Sequence, residues 1–181
     1  LWTGEPDLKV YNPDGYKAIP DIRKALSQEN YRLADQLQRK DQGHYSQSYQ
    51  PIGTLTMTDM DHEVTSTSNY ARSLDIEKAI ADVAYSNGKG RFTRQYFASA
   101  PDSVIIIRLK AENGAKINRS FRMHCQLPNM TFIEKGELVM DGYAAYSNLP
   151  SYTDAAIKHR YDSNRGVHFR ACVHIINKDG E

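Results

Sequence analysis

Cysteine is nearly missing from this chain. Cys125 and Cys172 are the only two among 181 residues, too few for the disulfide framework that staples small secreted domains. Each sits inside a strand-like pattern, which fits two buried free thiols, or one bridge if the two strands are neighbours. An excess of charge is missing too. The 23 Lys and Arg stand against 22 Asp and Glu, a formal +1, so nothing electrostatic points to nucleic acid or an anionic membrane as a partner. No apolar run is long enough to span a bilayer. No signal peptide opens the chain, although a start at Leu1 rather than Met fits a processed or removed leader. A nucleophile elbow, a phosphate-binding loop and a dinucleotide fingerprint are also absent, which leaves those enzyme classes without support. Helical periodicity occurs in one stretch only, and Trp2 is the only tryptophan.

What is there is mostly strand pattern. The stretch from Asn69 to Lys110 reads as three strands in succession. The first is a long one through Tyr70, Leu74, Ile76, Val83 and Tyr85. Asn87-Gly88-Lys89-Gly90 is a hairpin signal, since Asn and Gly tolerate positive φ. The second strand covers Arg91 to Phe97, and Ala100-Pro101-Asp102-Ser103 turns the chain, with Pro presetting φ. The third, Val104 to Leu109, is apolar on both faces and predicts a strand sandwiched between two layers. Asn113-Gly114 then leads into a half-buried strand, where Ile117, Phe121, Met123, Cys125 and Leu127 share a face broken by Arg119. A hairpin through Lys135-Gly136 joins residues 131–133 and 138–140. Residues 143–166 form a long polar excursion, and Val167 to Ile175 is a last strand. Asn177-Lys178-Asp179-Gly180 is another hairpin signal. It has no return strand, which points to a chain cut from something longer. Asp14 to Lys40 is the helical part, with apolar residues three and four apart. Pro20-Asp21 suits a first turn and Asn30 suits a cap on a second helix. This predicts a helical hairpin near the start that covers one end or face of the sheets.

Several separated motifs carry a family resemblance. Tyr70-x-Arg72-x-Leu74-Asp75, Ala79, Val83-x-Tyr85, Phe92-Thr93-Arg94, Phe97-x-Ser99-x-Pro101-Asp102 and the apolar strand ending in Arg108 occur in that order. Upstream stand Leu1-Trp2-Thr3-Gly4-x-Pro6 and Tyr49-Gln50-Pro51-Ile52-Gly53-x-Leu55. Together they resemble the amino-terminal β-domain of glycoside hydrolase family 95, the exo-acting α-L-fucosidases and their L-galactosidase relatives. The resemblance implies a mainly β fold, an antiparallel β-supersandwich with a short helical hairpin near the start, and a single truncated domain over residues 1–181. It also implies a partner in cis, the catalytic (α/α)6 barrel. The catalytic groups lie in that barrel, so the resemblance transfers none onto this chain. Strands before the Leu-Trp motif would be missing as well. A glycan is the implied substrate of the parent, hydrolysed with inversion, and a secreted or periplasmic location is favoured.

Read without the family, the residues show no active site. Glycoside hydrolysis needs paired carboxyl groups, but the acids here are scattered. The densest group, Asp59-x-Asp61-His62-Glu63, lacks the Gly and terminal acid of a calcium loop and reads as a solvated loop. His168 and His174 are the histidines nearest to a ligand spacing, and a surface strand explains them. No catalytic residue, metal or cofactor is therefore assigned. The twelve tyrosines fit strand packing, with sugar stacking as the second account. Trp2, Tyr49 and Gln50 are the substrate or domain-interface candidates, against the plainer account that Trp2 and Tyr49 plug a local core. Tyr49 and Gln50 alternate in direction if extended, so one packs inward while the other is presented. The leading expectation is a non-catalytic scaffold and barrel-packing domain, inactive alone and prone to self-association through exposed edges. A free-standing carbohydrate-binding β-sandwich is the alternative, and a structural remnant the third.

Overall fold

Turn chemistry sets most of the element boundaries. The computed structural model describes residues 1–6, 12–43, 46–60 and 66–178. In chain order the helices are α1 (Ile19–Ser27) and α2 (Tyr31–Gln38). The first five strands are β1 (Thr54–Asp59), β2 (Ser68–Asp75), β3 (Ile80–Asn87), β4 (Gly90–Ser99) and β5 (Val104–Glu112). Next come β6 (Arg119–His124), β7 (Asn129–Glu134) and β8 (Glu137–Tyr143). The last are β9 (Ser147–Asn148), β10 (His159–Arg160) and β11 (His168–Val173). The chain is mainly β with antiparallel sheets, as expected. It divides into two compact units, one of Leu1–Thr54 with Met123–Glu181 and one of Leu55–Arg122.

The second unit is built on a four-stranded sheet in the order β2-β3-β4-β5. Where one long first strand was expected there are two, joined by a turn at 76–79. No Gly, Pro or Asn marks that turn. Instead the Asp75 carboxylate accepts from the Lys78 amide at 3.0 Å, and Ala79 takes φ +56°. The Asn87-Gly90 hairpin forms as read, with those two residues paired. At the next turn Ser103 N–H donates to the Ala100 carbonyl and the Ser99 hydroxyl to Asp102. Strand β5 departs from expectation: it is an edge strand, and Val104, Ile105 and Ile106 are exposed, Ile105 by 78%. Its β-branched run fits the pleat of any strand and does not by itself specify two covering layers.

The small core of this unit explains Arg119. Tyr85 and Phe92 are buried and stacked, centroids 5.3 Å apart. The Tyr85 hydroxyl accepts from Arg94 at 3.1 Å and from Arg119 at 3.3 Å. The Arg119 side chain is only 7% exposed and ion-pairs with Asp59. The charge that interrupts an otherwise apolar face is therefore partnered on both sides, as a buried guanidinium requires. Strand β6, which carries it, pairs with β1.

In the first unit the core is Met123, Cys125, Leu127, Val139, Met140, Ala144 and Ala145. The alternation predicted from Ile117 to Leu127 holds in burial from Phe121 onward, whereas Ile117 is exposed, and the regular strand stops at His124. Strands β7 and β8 form the Lys135-Gly136 hairpin, and β11 adds to β8, giving the order β11-β8-β7. The 143–166 excursion contains one small ladder, β9 with β10. Asn30 caps α2 by accepting from the Leu33 amide at 3.2 Å, and Pro20 lies in the first turn of α1. Asn12 ties off the base of this hairpin by donating to the Lys40 carbonyl at 2.9 Å. The helices pack chiefly on each other, burying Ala25 and Ala34 and leaving Leu26, Tyr31 and Leu33 exposed. They do not form the expected cover over a sheet. Asp179 and Gly180, in the last hairpin signal, lie outside the described residues.

Candidate functional site

The structure brings the three residues singled out from sequence onto one short two-stranded element. Leu1 and Gln50 exchange both main-chain hydrogen bonds, at 2.8 and 3.0 Å. Trp2 therefore stands directly opposite Tyr49 in an antiparallel bridge. Opposite residues share a face, so the two rings project together, while Gln50 and Thr3 project from the other side. Trp2 is 47% and Tyr49 84% exposed. That is no core plug: both rings are presented. Gln50 points the other way, and its Oε1 is buried without a hydrogen-bond partner.

What holds this element was not legible in sequence. Asn148 is 6% exposed and Thr3 is buried beside it. The Asn148 amide nitrogen donates to the Thr3 and Ser48 hydroxyls. Its main-chain N–H donates to Gln47 Oε1 at 2.5 Å, and its Oδ1 meets His159 Nδ1 at 2.5 Å. One Asn thus binds the amino-terminal segment, the 46–50 loop and the β9–β10 ladder together. Gly4 adds to the closeness. It has φ +104°, and a Cβ there would fall 2.4 Å from the Gln47 side chain, so any other residue would be strained and would displace Gln47.

Several of the described acids are salt-bridged. Asp75 is held below its ordinary range by the hydrogen bonds from Lys78, main chain first and then side chain. Lys110 does the same to Glu112, and Arg170 to Asp141. Asp59 pairs with Arg119, while Asp61, His62, Glu63 and also His44 lie outside the described residues. His168 stacks on Tyr143, and His174 contacts Glu137 at 3.2 Å. Among the described residues no group of three potential ligands could hold a metal, and no helix is long and apolar enough to cross a membrane. Both cysteines are free. Cys125 is buried as expected, whereas Cys172 is exposed, because the β11 face that carries it also carries charged Arg170 and faces solvent.

These features define a mainly antiparallel β-domain with presented aromatics and salt-bridged acids. Comparison makes that specific: the chain belongs to the family described as glycosyl hydrolase family 65, N-terminal domain, which matches residues 1–181. Alpha-L-fucosidase 2 of Arabidopsis thaliana is 29% identical over 99% of this chain and 22% of its own length. A probable alpha-fucosidase A of Aspergillus niger is 32% identical over 62% of the chain and 14% of its own length. The corresponding Aspergillus oryzae protein is 27% identical over 61% of the chain and 16% of its own length. The motif resemblance to the amino-terminal domain of fucosidase-like glycoside hydrolases therefore holds. The chain spans less than a quarter of the length of each of these curated relatives.

Proposed function

We propose that this chain is the non-catalytic β-scaffold of an exo-acting α-L-fucosidase-like hydrolase, packed in cis against a catalytic helical barrel. In the whole protein it serves the inverting hydrolysis of terminal α-L-fucosyl or L-galactosyl residues of a glycan. The observation that carries this reading is the alignment of nearly the whole chain with under a quarter of a much longer α-L-fucosidase. The carboxylates support it. A glycosidase general acid needs a raised pKa and must keep its proton near neutrality, whereas Asp75 is shifted down by the main-chain and then the side-chain hydrogen bonds of Lys78, Glu112 by Lys110 and Asp141 by Arg170. Trp2 and Tyr49 then serve as the surface offered to the barrel or to the sugar it holds. Their exposure also favours a second reading, a free-standing carbohydrate-binding module.

The test is enzymatic. The pure chain is expected to release no nitrophenol from a nitrophenyl α-L-fucoside, while the longer protein that contains it does. Turnover by the chain alone, abolished when one of its own acids is replaced, would overturn the reading. A longer protein without any helical barrel would shift the balance to the binding module.

A further inference from the structure

The three-stranded sheet carries a surface that neither the motifs nor the relatives assign. An open groove of about 790 Å³ lies over one end of it, lined among others by Pro128, Met130, Asp141, Tyr143, His168 and Arg170. That volume is within the range of small-molecule sites. Register explains why these side chains meet. Strands β8 and β11 set Tyr143 opposite His168 and Asp141 opposite Arg170, and β7 sets Met130 opposite Asp141. Directly opposed residues share a face. An aromatic pair, with rings 5.8 Å apart and inclined by 29°, therefore stands beside a carboxylate and a guanidinium, with the Met130 thioether at the edge.

The charged half is firmly built. Arg170 donates from Nε and Nη2 to the two oxygens of Asp141, at 2.7 Å each, and from Nη1 to Glu134 at 3.0 Å. Such a fork fixes both partners in orientation. It engages the guanidinium with carboxylates but takes one N–H at each Asp141 oxygen, and a carboxylate oxygen can accept more than one. Tyr143 is fixed as well, its main-chain N–H donating to the Pro128 carbonyl at 3.2 Å. The floor behind is tight: a Cβ on Gly142 would meet the Phe169 ring at 2.4 Å.

We propose that this groove binds a neutral pyranose of a glycan, with the C–H face of the sugar on the Tyr143–His168 pair and neighbouring hydroxyls donating to Asp141. The inference rests on the reading of the parent as a glycan hydrolase and adds a non-catalytic subsite to it. Other ligand classes fit less well. An anion would face two carboxylates for one guanidinium, and a wholly apolar ligand would bury an ion pair without supplying donors. A polyol brings an apolar face and donors together.

The experiment titrates the chain with methyl α-L-fucoside, methyl β-D-galactoside and lactose, read by calorimetry and by saturation transfer from protein to sugar protons. Saturable binding is expected for at least one. Tyr143→Ala should weaken it at least about tenfold and Asp141→Asn several-fold, with Tyr143→Phe restoring it. Tyr16→Ala, an exposed tyrosine elsewhere, should change nothing. If Tyr143→Ala fails to fold, Asp141→Asn and Tyr143→Phe still decide the matter. Absence of binding to all three sugars, or binding indifferent to Asp141→Asn, overturns the inference. Either result leaves the scaffold reading intact, because that reading is decided by hydrolysis and not by affinity.

Discussion

Asn148 fastens the amino-terminal segment, and its energetic weight can be set against that of the rings it helps to present. Three of its contacts reach groups distant in sequence, Thr3 lying 145 residues away, Gln47 101 and Ser48 100. Removing a buried amide strands its partners, which costs about 1–3 kcal/mol. Asn148→Ala should lose stability on that scale in urea unfolding, whereas Tyr49→Ala, an exposed truncation, should stay within about 0.5 kcal/mol. If both variants were neutral, the fastening role would be wrong. The same contrast shows what sequence could and could not disclose. Trp2, Tyr49 and Gln50 stood out because aromatic and amide side chains in loops are poorly explained by strand alternation. Asn148 did not stand out, since nothing local distinguishes a buried Asn in a polar excursion from a solvated one. The Asp141–Arg170 pair was equally hidden, because strand pairing joins residues 29 apart.

At the scale of elements, turns written in Asn and Gly were legible and turns written in side-chain geometry were not. Asn113-Gly114 and Lys135-Gly136 carry positive φ where read, and the α2 cap and the Asn87-Gly90 hairpin fall on the expected residues. The 76–79 turn was invisible because its left-handed position is occupied by Ala79, a residue with no preference for that conformation. This placement costs of order 1 kcal/mol, which glycine does not incur. Ala79→Gly is therefore expected to stabilise the β2–β3 hairpin by up to about 1 kcal/mol, against the usual penalty for glycine in a sheet. Thermal denaturation of the single variant reads the sign directly; a loss of stability would place Ala79 under packing control instead. The helical hairpin was legible in its spacing, but spacing does not say what an apolar stripe packs on, and α1 and α2 turned to each other.

For the molecule as a whole, the exposed apolar surface sets behaviour in solution. Ile105 on the β5 edge, Leu74 and Ile76 at the β2–β3 turn and Ile133 on β7 are all open to water. An unpaired edge with β-branched side chains is a template for strand addition. Concentration-dependent oligomers are expected in sedimentation or light scattering, and Ile105→Lys should reduce them; a strictly monomeric chain at high concentration would count against this. The same edge explains why the β5 reading went astray, since an apolar run in sequence does not reveal whether its covering layer belongs to the chain. The lone tryptophan has an optical consequence. Trp2 sits half exposed on the bridge held by Asn148, so its emission should lie toward the red and respond to the release of that bridge. A melting curve drawn from its fluorescence follows one corner of one compact unit. Only its coincidence with far-ultraviolet ellipticity, which reports on the strands and helices of both units, would license a single unfolding free energy for the chain.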